Sequence, residues 1–409
     1  MIHLVKIAFR NLLRYRRRTL LTSSLIAFGV VLVIVFGGLA ISFRSQMIGT
    51  ITNGSMGDLQ IHATGYVESI DNTPLHLFLA DSQYATVRRA LEGMGEVEAF
   101  SPRIKFGAMI SNYAQTSNIR LTAIRPDREM RTVTDLAKRI SRTDGAPEIV
   151  QRGEVVVPAT LMKGLGLRVG DDIVLIATNR EGSVNGIPVR VGGVIESVVG
   201  PTGKDGYVHI DDAINLLRMD QSEINEVAVK LKSFDELKTS AETLRKSFAA
   251  SNVSAEVHTW EQLSPFATIA RIVDLLVLVV KFILISIVLV SILNIMTMSV
   301  FERVSEIGTI AAMGTPPARI RLMFLIEGLA MGLVSTIVGT VIGVGIIGTL
   351  RAMSIEFRFG TMDVSLVPSV PVGEVMMTVA IVTLISLLAS VQPASRAASM
   401  EPVDALGHV

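Results

Sequence analysis

Cysteine is absent from all 409 residues, so no thiolate metal motif can be written for this chain. The absence fits a domain exported to an oxidising compartment, although many cytosolic chains share it. Charge is scarce as well. Only 18% of residues are Asp, Glu, Lys or Arg while 49% are hydrophobic, and the mean hydropathy is +0.50, a balance that soluble chains do not usually reach. No acidic residue precedes Asp58, whereas Lys6, Arg10, Arg14, Arg16, Arg17 and Arg18 crowd the first segment. The net charge of +1 reflects that tail and gives no reason to expect a nucleic-acid partner. Catalytic patterns are missing too. There is no H-E-x-x-H and no G-x-S-x-G, and His3, His62, His76, His209, His258 and His408 are scattered. GPTGKD (Gly200–Asp205) lacks the first glycine of a phosphate loop, because position 198 is valine, and Asp205 stands where Ser or Thr is required. Asp171–Asp172 and Asp211–Asp212 read as a turn carboxylate and a helix N-cap rather than as cation ligands. No catalytic and no metal-ligating residue is assigned.

What is present is long apolar runs. Residues 19–43 carry no charge, 275–301 only Lys281, 322–350 only Glu327, and 375–391 none. At about 1.5 Å per residue each can cross about 30 Å of hydrocarbon, the last only just. Four transmembrane helices follow, the second prolonged into a stalk from residue 269. The basic tail (1–18) keeps helical phase through Lys6, Arg10, Arg14 and Arg17, which predicts an amphipathic helix in the headgroup region and places both termini in the cytosol. Lys281 then falls at the outer interface. Glu327 lies about one and a half turns inside the third span, in reach of Arg319, Arg321 or a basic residue of another subunit. Gly328, Gly332, Gly339 and Gly343 form two Gly-x-x-x-Gly pairs that let helix backbones touch, in this chain or with a second copy.

Residues 44–268 and 351–374 are left outside. The larger segment has strand, helix and strand patterns at 58–106 and again at 226–260, which predicts one subdomain assembled from both ends. Between them, 107–225 is strand-rich and punctuated by Gly170–Asp171, Asn185–Gly186 and Gly203–Gly206, an inserted β subdomain.

The segment 302–321 between the second and third runs is the most diagnostic. ERVSEIGTIAAMGT (Glu302–Thr315), then RIRLMFLIEG (Arg319–Gly328), resembles the coupling segment and following helix of the MacB/FtsX-like ABC transporter permeases. QPASRAASMEPVDAL (Gln392–Leu406), MGDLQIHATGY (Met56–Tyr66), LGLRVGD (Leu165–Asp171) and GYVHI (Gly206–Ile210) also resemble segments of that family. The resemblance implies an α-helical membrane protein with four transmembrane helices and a large periplasmic α+β domain between the first two, its porter-like part from 58–106 with 226–260 and its sabre-like part from 107–225. It implies Glu302, Arg303, Glu306, Gly308, Gly314, Arg319 and Glu327 as ATPase-coupling residues. The expected cytosolic pieces, including 392–409, are too short for a nucleotide-hydrolysing core, so ATP and Mg are expected on a separate ABC ATPase, present in two copies. This differs from the macrolide exporter, where the ATPase is fused, and resembles the lipoprotein-releasing (LolC/LolE-like) and FtsX layouts. The expected partners are that ATPase, a second permease copy or homologue, membrane lipid, and a periplasmic adaptor or carrier. The expected role, at a bacterial inner membrane, is transmission of ATP-driven motion for release of lipoprotein, lipid or another hydrophobic substrate. The alternative is an FtsX-like switch that activates a periplasmic or cell-wall hydrolase without transport.

Overall fold

A computed structural model describes residues 16–142, 148–196, 203–220, 223–353, 355–359 and 362–401. Helix α1 (Arg16–Ile51) opens the described chain and already contains Arg16, Arg17 and Arg18. The rest of the expected amphipathic tail, residues 1–15, and the end of the closing motif, 402–409, lie outside the described residues. Two compact units result, one of Gln46–Ala270 with Arg358–Val364 and one dominated by four long helices.

In the α/β unit, β1 (Leu59–Ala63), α2 (Asp81–Gly93), β2 (Val97–Ser111), β3 (Thr116–Ile124) and α3 (Pro126–Thr132) come first. They are followed by β4 (Ile140–Ser141), β5 (Glu154–Pro158), α4 (Ala159–Leu165), β6 (Asp172–Thr178), β7 (Val184–Ile195), β8 (Asp205–His209) and α5 (Ile210–Leu217). The unit ends with β9 (Glu226–Leu231), α6 (Leu237–Ala250), β10 (Ala255–Thr259) and the single turn α7 (Trp260–Leu263). Strands β10, β1, β9 and β2 lie side by side, each antiparallel to its neighbour. Thus β9 sits between β1 and β2, and β1 between β9 and β10. Each β-α-β unit is split by a strand of the other, as in ferredoxin-like folds. Alternation along the strands sends Leu59, Ile61, Val227, Val229 and Val257 into one core with Val87 and Leu91 of α2 and Leu244 and Phe248 of α6.

Strand β2 is used twice. Val97–Arg103 pairs with β9, and Ile104–Ser111 pairs with β3. From there β2, β3, β8, β5, β7 and β6 close back on β2 as a six-stranded barrel filled by Phe106, Ile110, Leu121, Val157, Leu175 and Val191. The expected boundary at 106/107 therefore falls inside a strand. Gly107 is a residue on the barrel's outer face, where a β-carbon would meet Thr73. The turn expected at Asn185–Gly186 is also corrected. Both residues lie in β7, paired with Ala177 and Ile176, and the reversal is at Asn179–Ser183. There Asn179 Oδ1 accepts from the backbone N–H groups of Glu181 and Ser183, and Gly182 takes a positive φ of 83°. The N-cap of α5 is His209, whose Nδ1 accepts from Asp211 N, while Asp212 accepts from Gly153 N and Asp211 pairs with Arg152.

The opposite face of the four-stranded sheet is buried but polar. Fully buried Arg103 donates from Nε and Nη2 to the Glu129 carboxylate at 3.1 and 2.5 Å, and from Nη1 to Glu226 Oε1 at 2.7 Å. Lys105 Nζ reaches Glu226 Oε2 at 2.7 Å, and His62 Nε2 lies 3.4 Å from the same oxygen with its ring stacked on Tyr66. Burial disfavours the ionised Glu226, but Lys105, the His62 hydrogen bond and Arg103 outweigh it and hold the carboxyl well below the usual range. Burial pushes the neighbouring Tyr207 hydroxyl up to about 12. Because Arg103 ends the part of β2 that belongs to the sheet, Glu226 starts β9 and Glu129 lies on α3, this network fastens the sheet to the chain segment that leads through the barrel.

The membrane unit contains most of α1 and of α8 (Phe266–Glu302), with α9 (Val304–Ala312), α10 (Pro317–Ala352) and α11 (Val372–Ala398), while the short strands β11 (Ile355–Phe359) and β12 (Met362–Leu366) are divided between the two units. Four of its helices are long and apolar enough to cross a membrane. The fourth is not the marginal 375–391. It takes in Glu374, whose carboxylate accepts from Lys281 Nζ at 2.7 Å, and continues through Pro393. The glycine stripe of α10 packs within the chain. A β-carbon at Gly328 or Gly332 would overlap the Ser390 or Ser386 hydroxyl of α11, and one at Gly339 or Gly343 would press on Ala27 and Val30 or on Val31 and Ile34 of α1. One end of α10 is thus fitted to α11 and the other to α1.

Candidate coupling surface

Between α8 and α10 the polar segment is a helix, not a bare turn. The chain leaves helical geometry at Arg303 (φ −114°, ψ 19°), which caps α9. Along α9 the apolar positions recur at three and four residues, so Ile307 enters a core with Val300, Ile320, Phe324, Ala394 and Ala397. Ser305, Glu306, Thr309 and Ala312 face outward. Gly314 ends α9 at φ +86°, its N–H donating to Ala311 O, and Pro316 and Pro317 start α10.

The seven residues expected to couple divide into two sets. Glu302, Glu306, Gly314 and Arg319 are exposed, together with Arg321. Arg303, Gly308 and Glu327 are buried, so they support the surface from beneath. Arg303 Nη1 donates to Glu327 Oε2 at 3.1 Å, and the two side chains are 7% and 2% exposed. Glu327 therefore pairs with Arg303 rather than with Arg319 or Arg321. The sequence reading missed Met313, which stands 73% exposed at the apex beside Gly314. An apolar residue in the turn that closes a polar segment was the available signal.

At the other end of the spans, Arg44 Nε lies 2.9 Å from Asp274 and Lys281 pairs with Glu374, in both cases with partly exposed side chains. The α/β unit holds an open groove of about 780 Å³ with Thr73, His76, Met109, Ile176 and Arg180 on its walls. Arg180 is engaged by Glu223 at 2.6 Å and stacks over Phe78. Among the described residues no group of three or more His, Cys, Asp or Glu is placed to hold a metal ion.

Residues 278–402 match the FtsX-like permease C-terminal model, and residues 19–247 match the MacB-like periplasmic core domain model. The chain belongs to the MacB/FtsX-like ABC transporter permeases. The permease is 23% identical over 408 residues to the lipoprotein-releasing system transmembrane protein LolC of Neisseria meningitidis, covering 95% of this chain and 94% of that one. It is 24% identical over 422 residues to the macrolide export ATP-binding/permease protein MacB 2 of Aeromonas hydrophila, covering 98% of this chain but 60% of that protein. The solved extracellular domain of the ABC-type transporter YknZ aligns with 49% of the permease and 99% of its own length, at 14% identity and a TM-score of 0.33. The four spans and the α/β unit are thus those of an ABC permease, with the exposed face of α9 between its second and third spans.

Proposed function

We propose that this permease carries ATP-driven motion from a separate pair of ABC ATPase subunits, which bind ATP and Mg, to a periplasmic α/β unit, and that the motion releases a lipoprotein, a lipid or another hydrophobic substrate from the inner membrane. The observation that carries the reading is the construction of α9. A short amphipathic helix, seated by Ile307, presents Glu306, flanked by exposed Glu302 at the end of α8, Met313 and Gly314 in the turn, and Arg319 in α10. The basic residues from Lys6 to Arg18 favour a cytosolic location for that end. Likeness to a lipoprotein-releasing protein along nearly the whole chain favours lipid-anchored cargo. Helices α1 and α8 each contribute residues to both units, which gives the motion a covalent route. A second permease copy or homologue completes the membrane assembly, which is embedded in lipid and serves a periplasmic carrier.

The test is E302K/E306K in the full complex. Reversed charge at a protein interface costs several kcal/mol, so permease-stimulated ATP hydrolysis should be lost while membrane insertion is retained. Stimulation equal to wild type would sink the coupling assignment.

A further inference from the structure

We infer that Arg303 and Glu327 are positioning residues that lock α9 and the adjoining end of the second span to the third span, so that these elements receive a push as one body. The inference rests on the reading of α9 as the coupling surface. Arg303 occupies the break between α8 and α9, where the helical path is interrupted. Its side chain turns inward and meets Glu327 of α10 at 3.1 Å, with both groups almost wholly removed from solvent. The next residue, Gly328, is in contact distance of Ser390 on α11, and Ile307 of α9 shares a core with Ala394 and Ala397 of the same helix. All four elements therefore converge within one turn of the ion pair. A buried charge deprived of its partner must be neutralised or carried to water, so the pair resists separation. The pairs at the far end of the spans, Arg44 with Asp274 and Lys281 with Glu374, are less buried than Arg303 with Glu327. A push on α9 is thus passed along the spans towards the less buried pairs and not dissipated at the Arg303 hinge.

The absence of cysteine makes spin labelling direct. Labels at Thr309 and Leu333, both exposed, report α9 against α10, and labels at Leu333 and Leu384 report α10 against α11 as a control. In full-length protein in nanodiscs, E327Q should broaden the 309–333 distance distribution about twofold and leave 333–384 unchanged, because only the pinned helix is released. The swap R303E/E327R should restore the narrow distribution. R303K, which retains the charge without the guanidinium fork, should broaden it less, and it serves in place of E327Q if that variant does not fold. A 309–333 distribution as narrow as wild type in the neutralised variant, or a swap that stays broad while 333–384 is narrow, overturns the pinning. Neither result touches the coupling surface itself, which stands or falls on ATPase stimulation in E302K/E306K.

Discussion

Replacing Arg103 with methionine should cost the α/β unit about 3–5 kcal/mol, the usual price of breaking a buried ion pair by removing one partner. The geometry sets that figure. Three guanidinium hydrogen bonds vanish, two of them to Glu129 and one to Glu226, both carboxylates fully buried. Glu226 keeps Lys105 at 2.7 Å and His62 at 3.4 Å, so most of the loss falls on Glu129. The single tryptophan, Trp260, is buried in the core of the same unit and provides the assay. For a unit of this size each kcal/mol shifts Tm by about 2–4 °C, so the Trp260 fluorescence melt should fall by about 6–20 °C. The triple variant R103M/E129M/E226M removes the charges together with their desolvation and should recover most of the loss. A drop below about 2 °C for R103M would refute the claim that this network holds the unit together. Acid should act on the same network. The Glu226 carboxyl is depressed in the folded state, so its contribution is complete above the ordinary carboxylate value of 4.5 and is lost as pH falls below it. E226Q should therefore flatten the acid limb of the melt profile below that value.

Two further outcomes concern the membrane unit. G332L should lower Tm through about 1–3 kcal/mol of overpacking, because the added side chain meets Ser386, whereas G345L, at an open position, should melt as wild type in the same detergent. Equal melts would mean that the α10–α11 contact is not tight. With the proposed orientation, E181C at the exposed β6–β7 reversal should react with an impermeant thiol reagent added outside intact cells, and A318C at the start of α10 should not. The reverse pattern would invert the orientation.

The spans and the split sheet were legible because their signals are local: uninterrupted apolar runs, and alternation of period two beside periods near 3.6. The glycine stripe was legible as a packing face, but its partners were not, since Ser386, Ser390 and Val30 carry no mark that pairs them with particular glycines. The fourth span was drawn too short because Glu374 and Pro393 look like boundaries in a charge and proline count. In the fold Glu374 is matched by Lys281, and the helix runs past both residues. The polar core escaped notice for a different reason. Arg103, Glu129 and Glu226 are far apart in sequence, and a charged residue within a strand pattern ordinarily marks a solvated face. Helix α3, which brings Glu129 onto β2 and β9, covers that face only in the folded chain.

The polar groups within the spans fit the proposed transmission of motion. The hydroxyls of Ser42, Thr336, Ser386 and Ser390 each donate to the backbone carbonyl four residues earlier, to Gly38, Gly332, Val382 and Ser386. Such bonds satisfy a hydroxyl inside its own helix and leave it little capacity to line a water file. Ser335, Thr340 and Thr383 lack a partner of this kind, but none of them can ionise. Ionised pairs lie towards the ends of the spans, Arg303 with Glu327 at one and Lys281 with Glu374 and Arg44 with Asp274 at the other. Under the proposed function, these pairs are where a push at one end of the spans would be received and where it would be passed on.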